Sequence, residues 1–364
     1  MENLFAITPL TKEFLTHLNQ DEFFKRIEQA IKHINGDDAL VVTPYVDHND
    51  PLEGLLRSQD QPVKTLKVSG PLAQKSTIGR YGYLDNQTRL VVDVGSVLGE
   101  QTLTNIAKTP LMASSRGVGE LLKQAVTSKT KKITFVNLEN IASDLGMGVL
   151  QELGATFYSK TYSTVAISGG KLSSIYSISF EDMDKKWLDY EYEFITLIPK
   201  NETLTGENGI AFKNAKLTGA TPELAKALNY EFESFSKTME QMSDHQLAEL
   251  PHVTCGNGFP IAFSLFFSQV KIENQSHLYQ KIIQHLLDQK IDYYMVYAPY
   301  VHFRQELAKK NQKVLIFGDL ANYPHLLPNE LMLPIDFDFL IQEKKYELMV
   351  SLLEMSLKLM KTES

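Results

Sequence analysis

Residues 143–155 read SDLGMGVLQELGA. Two glycines, Gly146 and Gly148, flank a methionine; a short apolar helix follows and runs into Gly154. Asp144 or Ser143 is placed to cap that helix, so the backbone N–H groups around Gly146 and Gly148 could face an anion. The same pattern also describes a close crossing of helix and strand that needs no ligand, and two glycines alone favour that plainer reading. One reading makes this stretch a phosphate-holding turn, the other a packing joint.

The rest of the chain bounds the choice. With 364 residues, 43% of them hydrophobic, the chain can build a large core and is expected to split into two domains, because a single core stops growing beyond about 250–300 residues. A net charge of −8 and the lack of a basic stripe argue against a nucleic-acid surface. Cys255 is the single cysteine, which excludes an internal disulfide framework. No apolar run approaches the roughly 20 residues that span a bilayer, and MENLFAITPL lacks the basic start and cleavage pattern of a signal peptide. The expectation is a soluble cytoplasmic protein without a membrane partner.

Around the quoted stretch, helices alternate with apolar strands. EFLTHLNQDEFFKRIEQAIKHI has helical spacing, and ALVVTPYV is a strand buried on both faces. VKTLKVSG and KSTIGRYGYL alternate polar and apolar residues, as strands with one wet face do. TRLVVDV and KKITFV read as strands, and GVGELLKQAV as a helix. Residues 157–200 read as loops and strands ending in YEYEFITLIP. Thr221, Pro222 and Glu223 open a helix, whose stripe is Leu224, Leu228, Phe232, Phe235, Met239 and Met242. Near the end, LYQKIIQHLLDQ is a helix, DYYMVYAP, KVLIFGD and IDFDFLI are strands, and a short helix lies at 303–309. This alternation predicts a doubly wound α/β sheet, built from both chain ends (1–68 and 290–364), with a large mixed α/β domain (69–289) inserted. The closing helix carries Leu348, Leu352, Met355 and Leu359 on one stripe; it packs on the sheet or, as the alternative, makes a homodimer contact.

Three further stretches bear on chemistry. TLTGENGIAFKNAKLTGATPEL holds Gly206, Gly209 and Gly219 with Lys213 and Lys216, a mildly basic loop for phosphate or a solvated loop before a capped helix; no Walker pattern occurs. CGNGFPIAF suggests a tight backbone approach, with Cys255 read as a small buried residue rather than a nucleophile. VDHNDPLEG places Asp47, Asp50 and Glu53 after a strand, where α/β ligands bind and where any solvated turn also looks this way. The nine histidines show no metal-ligand spacing, so no metal ligand is assigned.

Taken in order, these stretches resemble the type I glycerate kinases. SGPLAQ is similar to that family's first inter-domain segment. SSRGVGELLKQA is similar to its Tyr-Gly-Thr-Gly-Glu-Leu-Ile helix start, with Gly117, Gly119, Glu120 and Leu121 in place. SDLGMGVLQELGA resembles its Asn-Asp-Gly-Gly-Ala-Gly-Met-Leu-Gln-Ala-Leu-Gly-Ala segment, keeping Asp144, Gly146, Gly148, Leu150, Gln151, Leu153, Gly154 and Ala155. LTGENG, LTGATPE and ITPLTKEFL resemble further segments in family order. The resemblance implies a Rossmann-like domain from both chain ends, a large inserted domain and an active site in the cleft between them. It implies phosphoryl transfer from ATP, with magnesium, to glycerate or a related small hydroxy acid. Lys12 would be the substrate cation, Asp47 and Asp144 the acids, and Gly146, Gly148, Gly117 and Gly206 the nucleotide contacts.

The chain departs from the family where phosphoryl transfer is most demanding. ENIAS replaces a Gly-Gly-Ser-Ala-Thr run, PKNET replaces Asp-Val-Asp-Asn-Pro, YAPYV replaces Thr-Gly-Glu-Gly-Arg, and Leu10 stands where an Asp is expected. Phosphoryl transfer is positioning plus charge stabilisation, and it needs carboxylates for magnesium. Each lost group removes on the order of 10²–10⁴-fold in rate. Two expectations follow: a divergent glycerate kinase, or a non-catalytic relative that keeps the frame and a small-anion or partner site.

Overall fold

The structure is a computed structural model. It describes residues 5–7, 32, 41–42, 50–57, 59, 61–72, 75–103, 109–196, 198, 202–242, 247, 250, 253–275, 293–297, 301–310, 312–317, 326, 330–332, 348, 351–352, 355 and 358. The described strands are β1 (Phe5–Ile7), β2 (Val41–Val42), β3 (Lys64–Ser69), β4 (Ser76–Leu84), β5 (Arg89–Asp93), β6 (Lys132–Val136), β7 (Thr156–Tyr158), β8 (Ser177–Ser179), β9 (Glu191–Thr196), β10 (Val270–Asn274), β11 (Tyr293–Tyr297), β12 (Lys313–Phe317) and β13 (Glu330–Met332). The fold is mixed α/β with parallel-rich sheets.

The chain divides into two compact units, residues 1–58 with 279–364, and residues 59–278. The first joint lies before β3 rather than after it, because β3 pairs antiparallel with β4 from Lys64↔Tyr81 to Ser69↔Ser76 and so belongs to the inner sheet.

In the unit made of both chain ends, five strands run in the order β13-β12-β11-β1-β2. Every pairing is parallel, for example Phe5↔Tyr293 and Phe5↔Val41. Tyr294, Leu307, Val314, Leu315 and Ile316 are buried. Burial pushes the Tyr294 phenol up to about 12. Arg304 on the Val301–Lys309 helix grips Glu330 on β13 through both carboxylate oxygens, at 2.9 and 2.7 Å. The strand expected in IDFDFLI and the helix expected in LYQKIIQHLLDQ lie outside the described residues, as does the helix expected in EFLTHLNQDEFFKRIEQAIKHI apart from Lys32, which is helical.

In the inner unit, six strands run β10-β9-β6-β5-β4-β3. β5, β6, β9 and β10 are parallel, and the β4–β3 edge is antiparallel. β4 shows part of the expected alternation of wet and buried residues, while β3 is mostly exposed with only Val68 buried. β5 and β6 are buried on both faces, which is why they read as continuous apolar runs. β7 and β8 form a separate antiparallel pair.

One face of this sheet carries Leu90, Val92, Ile133, Phe135, Tyr192 and Phe194 into a single apolar core. Helices Arg116–Ala125, Met147–Leu153, Pro222–Met242 and Ile261–Phe266 contribute Val118, Leu121, Leu150, Phe232, Phe235 and Phe263 to it. Phe135 stacks on Phe194 with ring centroids 4.8 Å apart. The Pro222–Met242 helix starts as expected, with the Leu224 N–H donating to the Thr221 hydroxyl at 3.3 Å. Its buried stripe stops at Met239, and Met242 is exposed. No helix among the described residues is long and apolar enough to cross a membrane.

Candidate functional site

The quoted stretch sits where the chain leaves β6 and turns into the Met147–Leu153 helix. Leu145 and Gly146 both take positive φ, at 55° and 79°. Gly146 is needed twice over: that φ disfavours a side chain, and a Cβ would run into the Phe259 carbonyl oxygen.

Asp144 lies under this turn and is 1% exposed. Its Oδ2 accepts hydrogen bonds from the Ser115 N–H at 2.6 Å, the Ser115 hydroxyl at 3.0 Å and the Gly148 N–H at 3.2 Å. Its Oδ1 accepts from the Gly146 N–H at 3.2 Å. Ser115 immediately precedes the Arg116–Ala125 helix, and its hydroxyl oxygen also accepts the Val149 N–H of the other helix at 3.2 Å. The negative charge that the glycine turn calls for is therefore supplied by the protein itself. Burial pushes the Asp144 carboxyl above the usual range, against hydrogen bonds from Ser115, Ser114 and Gly146 that favour its ionised form.

The neighbouring glycines are packing positions. A Cβ on Gly148 would lie 2.5 Å from Asp144 Oδ2, and one on Gly119 would lie 2.7 Å from the Glu152 Cβ. A Cβ on Gly117 would collide with the Ser69 carbonyl oxygen. The same joint is tied by Glu120, which accepts from the Ser69 N–H and hydroxyl, each at 2.8 Å.

The second loop, Cys255–Gly258, closes over residues 138–143. Asn257 donates to the Ala142 carbonyl at 2.8 Å and to Ser143 Oγ at 3.1 Å, and Asn140 donates to the carbonyls of Leu138 and Gly256. Cys255 is buried, and burial, with Glu202 adding to it, pushes its thiol up to about 12. It is a small core residue, as expected.

Gly206 stands apart from this joint. It turns with φ +84°, a Cβ there would meet nothing within 4 Å, and its N–H donates to Asn229 at 3.0 Å. With Glu207, Phe212 and Asn229 it lines a shallow hollow of about 460 Å³. Asp50 takes the Glu53 N–H at 3.0 Å and opens the Pro51–Arg57 helix. Lys12 and Asp47 lie outside the described residues. Of the expected site residues, the structure thus brings Asp144, Gly146, Gly148 and the Gly117 helix start together, and leaves Gly206 in a different turn. Sequence reading passed over Ser115; its one signal was a serine directly before a helix, which points to that helix's own cap rather than to an acid 29 residues on.

ATP and magnesium do not fit at the Asp144 joint. Both carboxylate oxygens already have protein donors, and the Gly146 and Gly148 N–H groups already have an acceptor. Among the described residues, no group of three or more His, Cys, Asp or Glu side chains could hold a metal ion.

These features define a two-unit mixed α/β protein with a glycine-lined helix joint. A model described as the glycerate kinase family matches residues 10–290, so the chain belongs to the glycerate kinase family. It is 24% identical over 211 residues to a glycerate kinase of Bacillus cereus (58% of this chain, 55% of that one). It is 26% identical over 249 residues to one of Haemophilus influenzae (67% and 64%), and 21% identical over 250 residues to the glycerate 2-kinase of Escherichia coli (68% and 65%). The chain thus spans 55 to 65% of the length of these relatives. The crystal structure of a protein from Salmonella typhimurium LT2, described as a candidate glycerate kinase 2, superposes with a TM-score of 0.77 at 18% identity, covering 100% of this chain and 98% of that one.

Proposed function

We propose that the protein transfers a phosphoryl group from ATP, with magnesium, to glycerate or a related small hydroxy acid. One observation carries the reading: the family match runs unbroken over residues 10–290, so the segments of Lys12, Asp47 and the glycine joint are inherited as one frame. In this reading the five-stranded parallel sheet is a Rossmann-like, doubly wound domain. Its strand order reverses between β1 and β11. Ligands of open parallel sheets bind outside the carboxyl ends of the strands at such a reversal. In sequence, Lys12 follows β1 and Asp47 follows β2. Lys12 is assigned to the substrate carboxylate or the transferring phosphoryl group, and Asp47 to the acid that holds magnesium or orients the attacking hydroxyl.

The second reading, a non-catalytic relative with a small-anion or partner site, is favoured by the burial of Asp144 against protein donors together with the missing acids before Leu204. The test is purified protein with ATP, magnesium and a panel of hydroxy acids, followed by ADP release. Turnover that falls at least about 10²-fold in Lys12→Ala and Asp47→Ala supports the kinase. No turnover, together with no ATP-induced thermal shift, supports the second reading. A cytoplasmic location accords with the single cysteine. A homodimer through the closing helix accords with the exposure of Leu348 and Met355; light scattering giving a single-chain mass overturns it.

A further inference from the structure

We infer that Asp144 is a positioning residue that clasps the starts of two helices and touches neither nucleotide nor metal. The inference rests on the kinase reading only for the choice of probe. Asp144 faces donors from both partners at once: Ser115 before the Arg116–Ala125 helix, and Gly146 and Gly148 at the start of the Met147–Leu153 helix. Every one of these is a backbone N–H or the Ser115 hydroxyl, so no cation is needed to hold the carboxylate. The Ser115 hydroxyl completes the clasp, donating to Asp144 while accepting from Val149.

Among the described residues, Asp144 and Ser115 are closed off from water, and a methyl group at Gly148 would already meet Ser114 Oγ and Asp144 Oδ2. The helices are bolted again at the surface, where Glu152 takes Arg116 at 2.8 Å and Lys123 at 2.9 Å. The glycines that look like a phosphate cradle are what lets the two helices approach: Gly119 against Glu152 and Val149, and Gly148 against the residues before Arg116. A family motif that reads as a ligand site is, in this chain, a joint.

Asparagine is the discriminating change, because its amide would set a donor against backbone donors that cannot turn away. In Asp144→Asn, amide exchange at Ser115, Gly146, Gly148 and Val149 should speed up together by at least about tenfold. Loss confined to one helix start overturns the clasp. The wild-type protein supplies the second arm, needed if the variant does not fold. Magnesium with ATP should leave the Asp144 carboxyl carbon shift and the amide shifts of Ser115, Gly146 and Gly148 unmoved. Movement of the Asp144 carboxyl carbon together with these amides on adding the metal overturns the inference. The exchange arm is read without any ligand, so it decides the clasp even if the protein proves to bind no ATP.

Discussion

Asp144 and Glu193 are both acids closed off from water in the inner unit, 1% and 5% exposed, and they are held in opposite ways. Asp144 is met by backbone N–H groups and serine hydroxyls. Glu193, on β9, is met by Arg89 from β5 at 2.5 Å and, from the adjacent β6, by Lys132 at 2.8 Å and the Thr134 hydroxyl at 2.9 Å. Burial raises both carboxyls. At Asp144 it prevails; at Glu193 it is overcome by Arg89 and Lys132, which hold the carboxyl below the usual range. The difference teaches where each acid's job lies. A network of side chains can be replaced as a set. Backbone donors cannot be mutated away, so the acid that serves them is tied to the fold.

The largest expected effect is Asp144→Ala. It leaves the Ser115, Gly146 and Gly148 N–H groups buried without an acceptor, each worth about 1–3 kcal/mol. Chemical denaturation should show a loss of several times about 1 kcal/mol, and a loss below that level would erase the contrast with Glu193.

Glu193→Gln comes next, at about 1–3 kcal/mol, because it strands two cations that keep partial access to water. Replacing Arg89, Lys132 and Glu193 together with apolar residues of similar size should recover most of that loss. Failure to recover would mean that the network, too, is tied to the fold.

Stability against pH sharpens the comparison by sign. Glu193 titrates lower in the folded chain than in the unfolded chain. Its contribution is therefore present above the unfolded glutamate value and is lost as pH falls through the depressed folded value. Asp144 titrates higher in the folded chain, so its contribution is complete below the unfolded aspartate value and is lost as pH rises through the raised folded value. The stability difference between wild type and Glu193→Gln should shrink toward acid. The difference between wild type and Asp144→Asn should shrink on going away from acid. Parallel curves would defeat the assignment.

The smallest effect belongs to Glu152→Ala. Its partners Arg116 and Lys123 are half or more exposed, so the change should lower stability by less than about 1 kcal/mol, well below the buried clasp a turn away.

Much of this architecture was legible in the sequence. TRLVVDV and KKITFV read as strands from their apolar runs, and the structure shows both buried on both faces. Thr221 and Pro222 announced the long helix through local capping chemistry. β13 was not legible: three residues, Glu330–Met332, carry too little pattern. Nor was the purpose of the glycine turn. SDLGMG left two readings open, a phosphate-holding turn or a packing joint, and it did not say what the backbone N–H groups face. Ser115 lies 29 residues from Asp144, and Ser69 lies 51 from Glu120.

The sequence by itself determined the kind of fold, the family and the presence of a tight turn after β6, because strand runs, capping residues and glycines act over a few neighbouring positions. Only the tertiary structure decided that the turn's anion is Asp144 and that Glu193 is balanced by Arg89 and Lys132. Hydrogen bonds and charge pairs between segments far apart in the chain depend on how those segments pack, and local sequence carries no record of that distance.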